Sequence, residues 1–255
     1  MSGSPEDAYR AIVGDLDDEG AALDAVVGGL DAAGAATATP AAGWDVRDTI
    51  AHLAGASWLA AVALTEPDAF ADRLAGAGRP PAPTAWDGVL TRWRTERARV
   101  VAGLRSADPH DRFPWIAGPM SARSFAAAQL METWAHGVDV AAALGVPYPA
   151  TARLRHIARL GIRTRPFTFA QHGIALPDGE VRVVLDAPGG RVVWTWGQST
   201  TDVVRGDALD FCLVVTQRRH VDDSALEVSG DDARAWMEIA QAFAGPPTVA
   251  PRDRK

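Results

Sequence analysis

Residues 124–145 read SFAAAQLMETWAHGVDVAAALG, and the architecture of the chain turns on how that stretch is read. It is alanine-rich, with apolar side chains almost all round a helical wheel, and such a helix normally lies inside a protein. Yet Glu132 and His136 stand four positions apart, so both project from one face, a turn apart. Burying a carboxylate beside an imidazole is costly unless something satisfies both. A Glu–His hydrogen bond in a core does so, and so does a metal ion, for which this is a familiar helical ligand spacing.

Working outward, the upstream chain offers three further helices. Residues 6–33 carry a buried stripe of Tyr9, Ile12, Val13, Leu16, Leu23, Val26, Val27 and Leu30. After a loop over 34–43, the segment GWDVRDTIAHLAGASWLAAVAL has Asp45 as N-cap, Asp48 supporting the helix start, and Val46, Ile50, Leu53, Ala60 and Leu64 in helical register. Residues 84–107 place Trp86, Leu90, Trp93, Val100 and Leu104 at near-heptad spacing. Four long helices make an antiparallel bundle the natural architecture of residues 1–150. Residues 151–174 then read as a shorter helix and a linker. From 175 to 255 the pattern changes: VRVVLDA and RVVWTW are strands joined by Pro188-Gly189-Gly190, followed by an apolar helix through DALDFCLVVTQRR, a strand ALEVS and an amphipathic helix DDARAWMEIAQAFA. The fold class is therefore α+β, a four-helix bundle with a small α+β domain expected to close over it.

Composition narrows the partners. The net charge is -7 and no basic run occurs, which argues against nucleic acid and anionic membranes. No apolar run is long enough to span a bilayer, and the acidic N-terminus lacks the apolar segment of a signal peptide. A cytoplasmic protein acting on a small molecule is expected, with the oligomeric state left open. A single cysteine, Cys212, excludes an intrachain disulfide and reads as a buried hydrophobe.

A bundle builds metal sites from facing helices, so a third ligand beside Glu132 and His136 must come from another helix. His52 is the best candidate, because it falls off the hydrophobic series of its helix. Gly55 and Ala56, a turn later, would leave open space beside the imidazole. Three protein ligands and one open position is the pattern of catalytic zinc.

The two segments GWDVRDTIAHLAG and METWAHGVDVAAALG resemble the mycothiol-dependent maleylpyruvate isomerase family, whose N-terminal half has the DinB-like four-helix fold. That family carries a W-[ST/D]-x-x-[DE]-x-x-x-H-L pattern on its second helix and E-x-x-x-H on its fourth. The resemblance implies that His52, Glu132 and His136 hold a divalent metal, usually zinc, with Trp44, Asp45 and Asp48 as the lead-in to the first motif. It also implies mycothiol, the glutathione substitute of actinobacteria, as thiol cofactor. A high-GC composition with Lys255 as the sole lysine suits that origin.

The implied chemistry is a thiolate adding to an activated double bond, rotation, and elimination, or transfer of the thiol to an electrophile. Two other readings stay open: a thiol-free metal isomerase, cyclase or hydrolase, and a metal- or ligand-binding protein without a reaction. The family's helper arginine follows the apolar helix of the smaller domain. Arg218 or Arg219 matches it, with His220 adjacent, although the family has Gly-Arg where this chain has Gln217-Arg218. Cations at a helix C-terminus also simply favour the dipole. Asp139 reads either as an acceptor orienting His136 or as a solvated carboxylate. His110, His156 and His172 read as solvated, and Trp58, Trp134, Trp194 and Trp196 as core or pocket wall.

Overall fold

A computed structural model describes residues 4–251, and the chain divides into two compact units that meet between Pro149 and Ala150. The first unit contains α1 (Pro5–Val27), α2 (Ala32–Ala35), α3 (Val46–Thr65), α4 (Phe70–Leu74), α5 (Trp86–Ser106), the two-stranded ribbon β1 (Arg112–Phe113) and β2 (Met120–Ser121), and α6 (Ala122–Leu144). The long helices α1, α3, α5 and α6 form the DinB-like bundle.

Each long helix starts on a side-chain cap or a buried anchor. Ser4 and Asp7 form a capping box at α1, and Asp45 and Asp48 do the same at α3. Ser121 caps α6, which ends on Gly145 in the left-handed conformation (φ 65°). The expected first helix over 6–33 is broken at Gly28-Gly29; the chain resumes helix only in α2, which straddles the end of that expected helix and the start of the expected loop over 34–43. Two glycines in a row carry the entropy penalty that stops a helix whose apolar stripe would otherwise continue to Leu30.

The main packing pairs are α3 with α5, α1 with α6, α1 with α5, and α3 with α6. The ring order is therefore α1–α6–α3–α5, and the α1–α3 and α5–α6 connections run between diagonal helices. This order matters for the site. In a simple up-and-down meander the second and fourth long helices would be diagonal; here α3 and α6 are neighbours. Between the helices, Leu23, Val27, Val46, Ile50, Leu53, Leu90, Trp93 and Val140 form one buried cluster, each large side chain contributing roughly 1.5–3 kcal/mol. Arg94 and Arg97 of α5 both pair with Asp24 of α1, at 2.6 and 3.2 Å.

One packing detail fixes the end of α6. Gly137 leaves room for the Tyr148 ring, whose hydroxyl donates to Glu19 of α1 at 2.8 Å. A Cβ at residue 137 would overlap that ring. Gly137→Ala is expected to destabilise the protein, because overpacking costs about 1–3 kcal/mol against the ~1 kcal/mol that alanine gains over glycine inside a helix. A raised denaturation midpoint in urea would contradict this packing.

The second unit contains α7 (Leu154–Arg163), α8 (Arg165–Gln171), β3 (Arg182–Asp186), β4 (Val193–Trp196), β5 (Val203–Asp207), α9 (Ala208–Val215), β6 (Glu227–Ser229) and α10 (Asp231–Ile239). Its sheet has the order β4-β3-β5-β6, with β3 and β4 forming the expected antiparallel hairpin through Gly189 and Gly190. β5 runs parallel to β3 and antiparallel to β6. It lies in a stretch that had no strand signature of its own. α9 ends at Val215 and α10 at Ile239, each shorter than its apolar run suggested. The FAQHG segment, read as linker, instead begins as the last turn of α8, and α8 packs against α7 and α10. Among the described residues no helix is long and apolar enough to cross a membrane.

Candidate metal centre

The α3 capping box sets the phase of that helix, so that His52, two turns in, faces α6. On α6 the four-residue spacing brings Glu132 and His136 onto the facing side. Nε2 of His52 lies 3.8 Å and Nε2 of His136 lies 3.6 Å from the same Glu132 oxygen, Oε2. The three ligand atoms all fall within 4.8 Å of one another. Ligand bonds of about 2.0–2.1 Å in tetrahedral geometry put ligand atoms roughly 3.3 Å apart, so closing the two His–Glu132 distances by about half an ångström or less, and drawing the imidazoles together, would suit these three to a small divalent ion. The donor set, two imidazole nitrogens and one carboxylate, fits as well.

The surroundings are graded from buried to open. Side-chain exposure rises from 13% at His136 through 27% at Glu132 to 40% at His52. Any position left vacant by the three side chains thus opens on the His52 side. Behind His136, Nδ1 lies 3.3 Å from Oδ2 of Asp139, whose side chain is buried, so the carboxylate is no solvated bystander. A carboxylate at Nδ1 orients the ring so that Nε2 faces Glu132, and would favour the Nδ1–H tautomer, with Nε2 as the ligand atom, when an ion is bound.

Trp44 supplies the wall. Its ring stacks on His136 at 5.9 Å between centroids and 19° between planes, and lies 5.0 Å from His52. The turn that presents it depends on Gly43 at φ 81°, and is closed by Thr39, whose amide and hydroxyl both donate to the Trp44 carbonyl. The sequence placed Trp44 only as the lead-in to a motif; its position immediately before a helix N-cap was the available signal.

Burial pushes the Glu132 carboxyl up, but hydrogen bonds and charge from His136 and His52 outweigh it and hold the group down to about 2. A depressed carboxylate stabilises the fold above its unfolded value, about 4.3, and that stability is lost as pH falls through the folded value. In metal-free protein the Glu132 contribution should therefore be constant down to roughly pH 4 and vanish toward pH 2. Glu132→Gln should flatten that part of a stability–pH profile; an unchanged acid limb would contradict the triad's coupling.

Arg218, Arg219 and His220 lie in the turn after α9, in the second unit. Gln217 has φ 61°, a left-handed conformation natural to glycine, and its amide is held by the Ala240 and Thr248 carbonyls and the Thr248 hydroxyl. A glycine would take that backbone conformation without strain. Arg219 pairs with Asp210, whose other oxygen accepts from the Ala225 amide. His220 is buried; its Nδ1 accepts from the Asp222 amide at 3.1 Å and its Nε2 faces Glu238 at 3.4 Å. Both arrangements tie the turn together. Arg218 donates one guanidinium N–H to the Thr216 carbonyl at 2.7 Å.

The remaining histidines differ in part from their reading as solvated. His110 is exposed, but His156 on α7 and His172 after α8 are half-buried in the second unit. Trp58 and Trp134 are core. Cys212 is fully buried in α9, and burial pushes its thiol well above the usual range, which removes it as a nucleophile.

These features define a class: a DinB-like helical bundle with a two-histidine, one-carboxylate cluster shared by its second and fourth long helices. Residues 16–141 match the family described as mycothiol maleylpyruvate isomerase N-terminal domain. Two uncharacterized proteins of Mycobacterium tuberculosis, Rv0036c of strain H37Rv and MT0041 of strain CDC 1551, are each 42% identical over 210 residues, which is 78% of this chain and 81% of the relative. Crystal structures of mycothiol-dependent maleylpyruvate isomerase and of a point mutant of it match 89% of this chain and 96% of theirs, with TM-scores of 0.55 and 0.56 at 17% and 16% identity. At that identity the structural likeness speaks for the fold. The chain belongs to the mycothiol-dependent maleylpyruvate isomerase family, and by that descent it is an enzyme.

Proposed function

We propose that the chain is a divalent-metal enzyme, with zinc the natural ion, that uses mycothiol to isomerise or thiolate a small electrophilic metabolite. The observation that carries the reading is the convergence of His52, Glu132 and His136 from two adjacent helices on one point, with exposure increasing toward His52. An ion held there supplies the positive charge that keeps a cofactor thiol in its nucleophilic thiolate form.

The chain's own residues do the rest. Asp139 fixes the tautomer of His136. Trp44 covers one face of His136 and limits the approach of water from that side, and the half-exposed His52 leaves the way in for thiol and substrate. Arg218, set by the left-handed Gln217, is the residue we assign to a substrate carboxylate, because a guanidinium presents paired N–H donors to that group. Arg219 and His220 keep that turn in shape through Asp210 and the Asp222 amide.

Maleylpyruvate, named in the family, is the first substrate to try. Turnover is expected with mycothiol and absent with buffer alone; equal rates with and without the thiol would leave the metal reading standing and remove the thiol from it.

A further inference from the structure

From the sequence alone, Gly55, one turn beyond His52, leaves open space beside the imidazole. The structure fills that space. The Arg79 guanidinium lies against α3 there, and a Cβ at residue 55 would stand 3.0 Å from its Nη2. Residues three apart on a helix have Cβ positions about 5–6 Å apart, and side chains lean toward the N-terminus. Nη2 of Arg79 therefore lies within roughly 9 Å of the His52 Cβ. Asp48, the nearest acid on the same stripe, lies one turn to the other side of His52 and is capping α3.

The loop carrying Arg79 is built to present it. Gly76 and Gly78 take φ 101° and 63°. Arg73 holds the loop's near side, reaching Glu66 at 3.6 Å and donating to the Ala77 carbonyl at 3.2 Å. On the far side Arg92 donates to the carbonyls of Pro80 and Pro81 at 3.3 and 3.1 Å. Two arginines thus clamp the main chain. The third, Arg79, has no carboxylate or carbonyl partner among the described residues. Other exposed arginines also lack partners; Arg79 differs in lying against a glycine beside a candidate ligand.

We infer that Arg79 is an anion-binding residue of the first unit, taking a carboxylate of the ligand that enters beside His52. A guanidinium offers a carboxylate two parallel hydrogen bonds, and a clamped loop has little ordering entropy left to lose on binding. Gly55 is the residue that makes the approach possible. The inference rests on the cluster being the reaction centre, but its test reads the anion alone.

Full-length protein as purified is titrated with succinate while the imidazole C–H resonances of the six histidines are followed by NMR, the His52 signal being assigned with His52→Asn. Succinate is expected to shift His52 and leave the exposed His110 in place. Loss of a charge-assisted hydrogen-bonded pair in Arg79→Gln should weaken the titration at least about tenfold. Arg79→Lys keeps the charge without the fork and should fall between. Gly55→Leu keeps the guanidinium but fills its seat, and should weaken binding as well, with circular dichroism checking that each variant is folded. Wild type showing no His52 shift, Arg79→Gln within about twofold of wild type, or Gly55→Leu binding as wild type would each overturn the inference. Metal counted on the same samples separates the two ideas: Arg79-dependent binding without any metal sinks only the metal reading, and metal with Arg79-independent binding sinks only this one.

Discussion

Replacing His136 with alanine is expected to abolish mycothiol-dependent turnover, by about a thousandfold or more, while leaving helix content intact. His136 is the most enclosed of the three candidate ligands, with 13% of its side chain exposed, and it is braced from behind by Asp139. Removing it leaves one imidazole and one carboxylate, below the three-ligand minimum of catalytic zinc sites. It also removes the larger of the histidine influences on Glu132. Asp139→Asn should be milder, since loss of an orienting carboxylate typically costs 10–100-fold in metal affinity. The order is itself a test. If Asp139→Asn were as damaging as His136→Ala, Asp139 would be acting on more than the orientation of one ring. If His136→Ala kept wild-type turnover, the triad would not be the reaction centre.

The second large effect concerns the thiol. Cobalt substituted for the native ion is expected to show an intense near-ultraviolet band on adding mycothiol, because sulfur bound to cobalt(II) gives charge-transfer absorption that oxygen and nitrogen ligands do not. His52→Ala should weaken the band with the site, whereas Arg218→Gln should leave it in place and raise KM for a carboxylate substrate. That split separates a residue that holds the ion from one that holds the substrate. A cobalt protein whose spectrum ignores mycothiol but responds to substrate would move the reading to thiol-free metal catalysis.

Much of this was legible in the sequence, and the reasons are local. Glu132 and His136 are tied by helix geometry alone, so their pairing followed from spacing. The capping pattern of Asp45 and Asp48 fixed where α3 begins and hence where His52 points. The ring order of the bundle was not legible, because each helix has one apolar stripe whichever neighbours it has. It is α3 lying beside α6, and not diagonal to it, that completes the triad. Local signals also missed β5: Val203–Asp207 contains Arg205 and Gly206, and its strand character comes from being seated between β3 and β6. Gly55 shows the limit from the other side. A glycine announces space but not what fills it, and Arg79 arrives from a loop whose course no periodicity describes.

The most direct test of the central claim is the metal content of the full-length protein, measured by elemental analysis after loading with zinc and removing the excess, beside His136→Ala treated in the same way. About one ion per chain in the wild type, as a three-ligand site holds, and close to none in the variant is the predicted result. No retained ion in either protein would contradict it, leaving Glu132 paired with His52 and His136 as a purely structural cluster.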